Sequence, residues 1–244
     1  PVCDTNELYL KEAIESVLCQ SYPNFELCIS DDASSSSYIK EILKKFVEND
    51  SRVKVIFRQT RGNISKATTS ALNLAYGEYV GFLDHDDILH KDALFQVVKT
   101  LNRNREIKLI FSDEDKLNEK GERVSPYFKP DWNLNLFLSQ NYLCHFVVIN
   151  KNTLDKFGQF RSICDGAQDW DNLLHIIPNI QENEIFHIPL ILYHWRIHKN
   201  STALAVGTKK NVIAASTRAL NDFCKNNSLD AKVILVQNCY FNLS

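Results

Sequence analysis

The sequence predicts an α/β fold: a mostly parallel central sheet with helices on both faces, followed by a smaller irregular half. Three observations carry this reading. Short apolar runs alternate with stretches of helical periodicity through the first half, the order expected of βαβ units. Three of those runs end in acidic clusters, placing polar groups past the carboxyl ends of strands, where open α/β sheets bind ligands. A chain of 244 residues with 44% hydrophobic content can bury one large α/β core.

The opening Pro1-Val2-Cys3-Asp4-Thr5 reads as the tail of a strand and a polar turn. Leu10, Ala13, Ile14, Val17 and Leu18 then recur at helical spacing, predicting an amphipathic helix from Asn6 to Cys19 that Pro23 and Asn24 break. Phe25 to Ser30 is a strand ending in Asp31-Asp32-Ala33-Ser34. Ile39, Ile42, Leu43, Phe46 and Val47 mark the next helix, Val53 to Phe57 a strand, and Arg58 to Asn63 a loop. Ser65 to Ala75 is helical, with Gly77 as its stop. Tyr79 to Leu83 is an apolar run entering Asp84-His85-Asp86-Asp87, and Leu94, Val97, Val98 and Leu101 form one helix face.

The second half is less regular. Leu109 to Ser112 is a short strand before Asp113-Glu114-Asp115-Lys116. A loop carries Gly121, Pro126, Tyr127, Phe128, Pro130 and Trp132. Asn141 to Ile149 is a strand, and the short helix after it stops at Gly158. Asp165 to Asp171 is a turn starting a helix through Ile177. Ile185 to Ile188 and Leu190 to Trp195 are strands interrupted by Pro189. Val212, Ile213, Ser216, Leu220 and Phe223 define a last helix, and Lys232 to Val236 a terminal strand. No repeat, low-complexity segment or linker divides the chain.

Composition excludes several classes. A formal net charge of −2 and no long basic run give no footprint for nucleic acid. The seven cysteines (3, 19, 28, 144, 164, 224 and 239) are scattered and form no C-x-x-C pair, against a disulfide framework or a zinc site. They suit a reducing, cytoplasmic compartment. No apolar stretch reaches membrane-spanning length. The chain opens without Met and reads as a fragment, which leaves room for targeting segments upstream.

Three acids within Asp84–Asp87 repel one another, so the arrangement is costly without a compensating cation. Mg²⁺ or Mn²⁺ holding a phosphorylated ligand fits. A solvated turn with Asp87 capping the following helix fits the same residues. If the strands are neighbours, Asp31/Asp32, Asp84/Asp86 and Asp113/Asp115 converge on one sheet edge. Turn chemistry explains each cluster singly and the repetition poorly.

With these motifs in view, the sequence resembles the inverting family 2 glycosyltransferases, which have the GT-A fold. The likeness rests on Pro1-Val2-Cys3-Asp4-Thr5, Ser16 to Pro23, Asp31-Asp32-Ala33-Ser34, Leu83 to Asp87 and Ser112 to Asp115. Phe128 to Trp132, Ser139 to Tyr142, Asp165 to Asp171 and Tyr193 to Arg196 continue it, as far as Leu204. It is greatest to transferases of bacterial surface polysaccharides such as O-antigen and rhamnan. The resemblance implies transfer of a sugar from a nucleotide-sugar donor, UDP-linked, to a hydroxyl of a growing or lipid-linked glycan, with Mn²⁺ or Mg²⁺. It divides the single domain into a nucleotide-sugar half (1–115), an acceptor and catalytic half (116–205) and a C-terminal helix and tail (206–244). The family's first strand would lie mostly upstream of Pro1, and segments there leave room for peripheral membrane association.

Site roles follow by resemblance, position by position. Asp84-His85-Asp86 matches the D-x-D motif: Asp86 binds the metal, Asp84 the donor or the metal, and His85 points away. Asp31 and Asp32 match the pair that recognises the base, with Pro1, Cys3 and Asp4 lining its pocket, although Asp4 stands where the family usually has Asn. Gly62 belongs to a loop approaching the nucleotide, and Lys66 reaches a phosphate or is an exposed helix-start Lys. Asp169 matches the catalytic base, kept ionised by helix N–H groups; Asp171 is the weaker candidate. Arg196 would pair with the diphosphate and His194 would ligate the metal or be structural. Trp132 and Trp170 would stack on the acceptor or sit in the core. Two rivals remain: a non-catalytic sugar-nucleotide-binding scaffold, opposed by the presence of both Asp86 and Asp169, and a sugar nucleotidyltransferase, opposed by the lack of a Gly-rich basic loop after the first strand. The Q-x-x-R-W pattern of processive synthases is absent.

Overall fold

A computed structural model of the chain describes residues 1–198, 209–237 and 240–244; Cys239 and the boundary at 205/206 lie outside them. The predicted α/β class is observed. Helix α1 (Glu7–Leu18) starts where the Asn6 side chain accepts hydrogen bonds from the N–H groups of Leu8 and Tyr9, and it buries Leu10, Ala13, Ile14 and Val17. Strand β1 (Leu27–Asp31) pairs in parallel with β2 (Val53–Phe57), and α2 (Ser37–Asn49) crosses between them. Val2 bridges Asp31 on the other edge of β1, so the opening residues are the end of a strand as expected. Then come α3 (Asn63–Leu72), β3 (Tyr79–Gly81), β4 (Ile88–Leu89) and α4 (Ala93–Arg103).

The main sheet has six strands. β5 (Leu109–Leu117) lies at its centre, between β7 (Val147–Asn150) and β8 (Ile185–Arg196), with β3 and β4 outside these and β6 (Arg123–Tyr127) paired to the far end of β5. Helices α5 (Leu134–Ser139), α6 (Lys151–Phe157), α7 (Gln168–Ile176) and α8 (Lys209–Asn226) and the hairpin β9 (Val233–Gln237) with β10 (Tyr240–Leu243) complete the fold. Leu109 and Phe111 of β5 enter one core cluster and Ile110 another, so both sheet faces are covered.

Four differences from the sequence reading have physical causes. Among the described residues, parallel pairing is confined to β1–β2, the Val2 bridge and β5–β8; β7 enters antiparallel to both β3 and β5, making the sheet mixed. β5 runs on through Asp113, Glu114 and Asp115, because each acid finds a partner inside the fold, described below. Pro189 does not end β8: Ser112 pairs with Ile188 and Asp113 with Ile191, so the ladder steps past the residue that has no N–H. The strand expected from Asn141 begins only at Val147, since side chains rather than a neighbouring strand take the backbone groups of Leu143, Cys144 and His145.

Gly158 ends α6 under close packing. A Cβ there would lie 2.6 Å from the Leu154 carbonyl oxygen and 2.7 Å from Asn172 Oδ1. Gly158→Ala is expected to cost about 1–3 kcal/mol by overpacking, read from the urea midpoint.

Between β1 and β3, whose facing edges are not paired to each other, lies an apolar cleft of about 500 Å³, lined by Pro1, Leu27, Val80, Leu94 and Phe146 among others. No helix among the described residues is long and apolar enough to cross a membrane.

Candidate active site

The acidic turn between β3 and β4 is held from β8. Asp87 is buried; it accepts a hydrogen bond from the Tyr193 hydroxyl at 2.5 Å and one from the Arg196 N–H at 2.7 Å. Burial and the neighbouring Asp84 charge raise its pKa to about 8. Asp87 therefore anchors the turn to the sheet and does not cap the next helix, whose N-cap position is Asp92. Asp86 stays at the surface of the turn. His198 Nε2 lies 2.8 Å from its Oδ2, and His85 Nδ1 lies 3.6 Å from its Oδ1. That His85 nitrogen is buried without a hydrogen-bond partner among the described residues, so the ring turns toward Asp86 rather than away from it. Burial lowers the His85 pKa, keeping the ring neutral at pH 7.

Asp169 lies in the first turn of α7. Its carboxylate and Asp84 line one cavity of about 40 Å³, together with Phe82, Cys144, His145 and Tyr193. Gln168 Nε2 donates to Asp169 Oδ2 at 2.7 Å. The residue is exposed, yet surrounding protein disfavours its charge. With Asp84 opposite, this raises the carboxyl pKa to about 6. The helix N-terminus was expected to keep it fully ionised; desolvation and the like charge outweigh that effect. Asp171 is buried and bonded to Arg161, whose Nε lies 2.9 Å from Oδ2, so it braces the fold.

The other predicted residues fall into two groups. Near the first strand end, Asp32 is held by the Gly62 N–H, 2.9 Å from Oδ1, and by Arg58 Nε at 2.7 Å. A Cβ at Gly62 would lie 2.8 Å from Lys66 Cβ, so glycine fits that approach. Asp31 Oδ1 accepts only the Ser34 N–H at 3.3 Å among the described side-chain contacts. Asp4 accepts from the Ser35 N–H at 2.7 Å and pairs with Arg61. Cys3 Sγ reaches the Asp32 carbonyl at 3.9 Å, Pro1 borders the apolar cleft, and Lys66 is exposed.

The second group takes supporting positions instead of the expected ones. His194 Nδ1 lies 2.5 Å from Asp115 Oδ1, so it serves that buried acid rather than Asp86. The residue beside Asp86 is His198, which the sequence reading missed. Arg196 donates from Nε to the Asp86 carbonyl at 2.7 Å and from a terminal nitrogen to Glu12 at 2.6 Å, bracing the turn. Asp113 contacts His187 Nε2 at 2.8 Å and the Lys129 N–H at 2.9 Å, and Asp115 also pairs with Arg123 at 2.6 Å; these acids are framework, not a third part of a metal site. Trp170 is buried with Nε1 donating to the Phe137 carbonyl, and Trp132 packs on Phe137 at 5.4 Å; both belong to the core.

Among the described residues, no group of three or more His, Cys, Asp or Glu is arranged to hold a metal ion. The set around Asp86 nonetheless suits a hard divalent cation. Such ions take one or two protein carboxylates and draw the rest of their shell from phosphate and water. The Asp86 carboxylate, with the His198 nitrogen beside it, leaves that room.

The family model described as "Glycosyl transferase family 2" matches residues 1–158. An uncharacterized protein of Sinorhizobium fredii is 40% identical over 222 residues, 91% of this chain and 24% of its own length. The O-antigen biosynthesis protein RfbC of Myxococcus xanthus is 34% identical over 233 residues, 96% of this chain and 18% of its own. The chain thus spans less than a quarter of the length of these curated relatives. Among solved structures, S. aureus TarS 1-349 in complex with UDP-GlcNAc has a TM-score of 0.69 at 19% identity, over 90% of this chain and 64% of that one. The mannosyltransferase PcManGT from Pyrobaculum calidifontis, in complex with GDP-Man and Mn²⁺, has a TM-score of 0.63 at 17% identity, over 94% of this chain and 64% of that one. The structural likeness establishes the shared GT-A fold.

Proposed function

This chain belongs to glycosyl transferase family 2, and from that premise we propose that it is a metal-dependent inverting glycosyltransferase using a UDP-linked sugar to extend a surface glycan. The observation that carries the reading is the cavity shared by Asp84 and Asp169, with Asp86 on the same turn as Asp84. The names of the relatives support the glycan class: RfbC acts in O-antigen biosynthesis, and a Pasteurella multocida relative, 24% identical over 216 residues, is a hyaluronan synthase. The TarS complexes hold UDP and UDP-GlcNAc, which favours UDP over GDP as the first donor to test.

Asp86 and His198 would hold Mn²⁺ or Mg²⁺, which when bound supplies positive charge against the leaving diphosphate. Asp84 would take a hydroxyl of the ribose or sugar, and Asp31 a ring N–H of the base. Asp169 accepts the proton of the acceptor hydroxyl while that oxygen attacks the anomeric carbon from the face opposite the nucleotide. The new C–O bond forms as the bond to the β-phosphate oxygen breaks. The products are the β-configured or otherwise inverted glycoside, UDP and a protonated Asp169. With its pKa near 6, Asp169 is mostly ionised at neutral pH.

Calorimetric titration of UDP with and without Mn²⁺ tests the reading. Binding is expected to need the metal, and Asp86→Ala to weaken it at least about tenfold. Tight binding of GDP alone would change the donor. Failure of every nucleotide to bind a folded sample would leave the non-catalytic scaffold in its place.

A further inference from the structure

His145 was passed over in the sequence, where nothing marks it apart from other histidines. In the fold it lines the cavity that Asp84 and Asp169 share, and among the residues lining that cavity it is the one cationic side chain. We propose that His145 contacts the substrate, its Nε2–H donating a hydrogen bond to an oxygen of the sugar held between Asp84 and Asp169. The proposal rests on the transferase reading and adds a residue to it.

The ring is fixed from several sides. The His145 N–H donates to Glu114 Oε2 at 2.6 Å, and ring Nδ1 lies 3.0 Å from the same oxygen. Lys129 Nζ donates to that oxygen at 3.2 Å, to the Leu143 carbonyl at 3.1 Å and to the Cys144 carbonyl, clamping the segment that carries the imidazole. Tyr193 stacks on the ring at 5.2 Å and 16°, and Trp195 packs against it at 4.5 Å. With Nδ1 committed to Glu114, the ring nitrogen left over is Nε2, which has no hydrogen-bond partner among the described residues and donates when the ring carries its second proton. Burying a Lys–Glu pair to orient one imidazole is costly, and a support of that kind is typical of groups that must meet a ligand in a set geometry.

The chemistry of the cavity selects the ligand class. Asp84 and Asp169 accept hydrogen bonds, His145 donates one, and Phe82, Leu83 and Phe160 form an apolar wall. A ring bearing hydroxyls, which both donate and accept and which presents C–H faces, matches this set. Although burial opposes its protonation, chiefly the hydrogen bond and charge of Glu114 raise the His145 pKa to about 9, so both ring nitrogens carry protons at neutral pH.

Two isosteric variants separate contact from support. The Asn amide in His145→Asn replaces Nδ1 and keeps the Glu114 bond, while that of His145→Gln reaches the Nε2 position. Each is assayed for UDP affinity in Mn²⁺, for thermal melting, and for turnover of UDP-glucose, UDP-galactose and UDP-GlcNAc. His145→Asn is expected to lower kcat/KM for the sugar turned over by about ten- to a hundredfold, with UDP affinity within about twofold of the parent and His145→Gln the better enzyme. Wild-type turnover in His145→Asn, a parallel loss of UDP affinity, or activity that follows the melting temperature alone would overturn the assignment. So would a parent that binds UDP but neither turns over nor prefers any of the three sugars. A folded parent that binds neither UDP nor any other nucleotide overturns the transferase reading itself.

Discussion

If Asp169 is the proposed base, Asp169→Asn is expected to lower sugar transfer by about a hundred- to ten-thousandfold, the range a positioned general base supplies, while UDP affinity stays within about twofold. The split is the informative part. Asp169 stands across the cavity from the D-x-D turn, in a different segment of the chain, so the nucleotide and its cation would not touch it. An Asn of the same shape keeps the Gln168 contact and removes only the ability to accept a proton. The pH profile provides a second check. Burial and the Asp84 charge raise the Asp169 pKa to about 6, against the lowering effect of His145. The base works only when deprotonated, so kcat is expected to fall about tenfold per pH unit below pH 6 and to level off above it. An acid limb near pH 4 would mean that Asp169 is hydrated, as well as screened from Asp84, in the working enzyme. No acid limb, together with an active Asn variant, would move the proton acceptor elsewhere.

Most of the architecture was legible because the early elements obey local rules. Asn6 before Leu10, Ala13, Ile14 and Val17 is a cap followed by a helix face, and α1 lies there. Val53 to Phe57 is a strand with the predicted bounds. The errors collect where long-range side chains replace local signals. Asp113, Glu114 and Asp115 look like a strand-end cluster, but they stay in the strand because His187, Lys129, His145, His194 and Arg123 arrive from 8 to 79 residues away to meet them. The end of the strand explains the histidine error. His194 is within β8 and its side chain faces Asp115, whereas His198 follows the strand end at Arg196, where the chain can turn toward Asp86. The motif named the right stretch; only the point where pairing stops decides which imidazole reaches the carboxylate. His145 had no signal at all, since its importance lies in Glu114, thirty-one residues away.

Glu114→Ala is expected to be the most destabilising single change at the site, costing about 3–5 kcal/mol of the roughly 5–15 kcal/mol available to a domain. The Lys129 side chain is 0% exposed and that of Glu114 is 9% exposed, so the truncation strands a buried ammonium with only carbonyl partners. It also releases the His145 N–H and ring from their common acceptor. The size agrees with proton linkage. Burial alone would raise the Glu114 pKa, but the bond and charge of His145 and those of Lys129 lower it from 4.5 to about 2. A carboxyl shifted that far contributes about 3 kcal/mol, present in full above pH 4.5 and lost as pH falls through about 2. Lys129 acts in the opposite sense, because burial lowers its own pKa, so the ion pair by itself nets less than the carboxylate does. Urea denaturation of Glu114→Ala, Lys129→Met and the double variant measures this. The double variant should be more stable than the sum of the single losses implies, because an apolar Met removes the charge that Ala leaves unpaired. Strict additivity would show that Lys129 is hydrated in solution and that the clamp on His145 is weaker than its hydrogen bonds suggest.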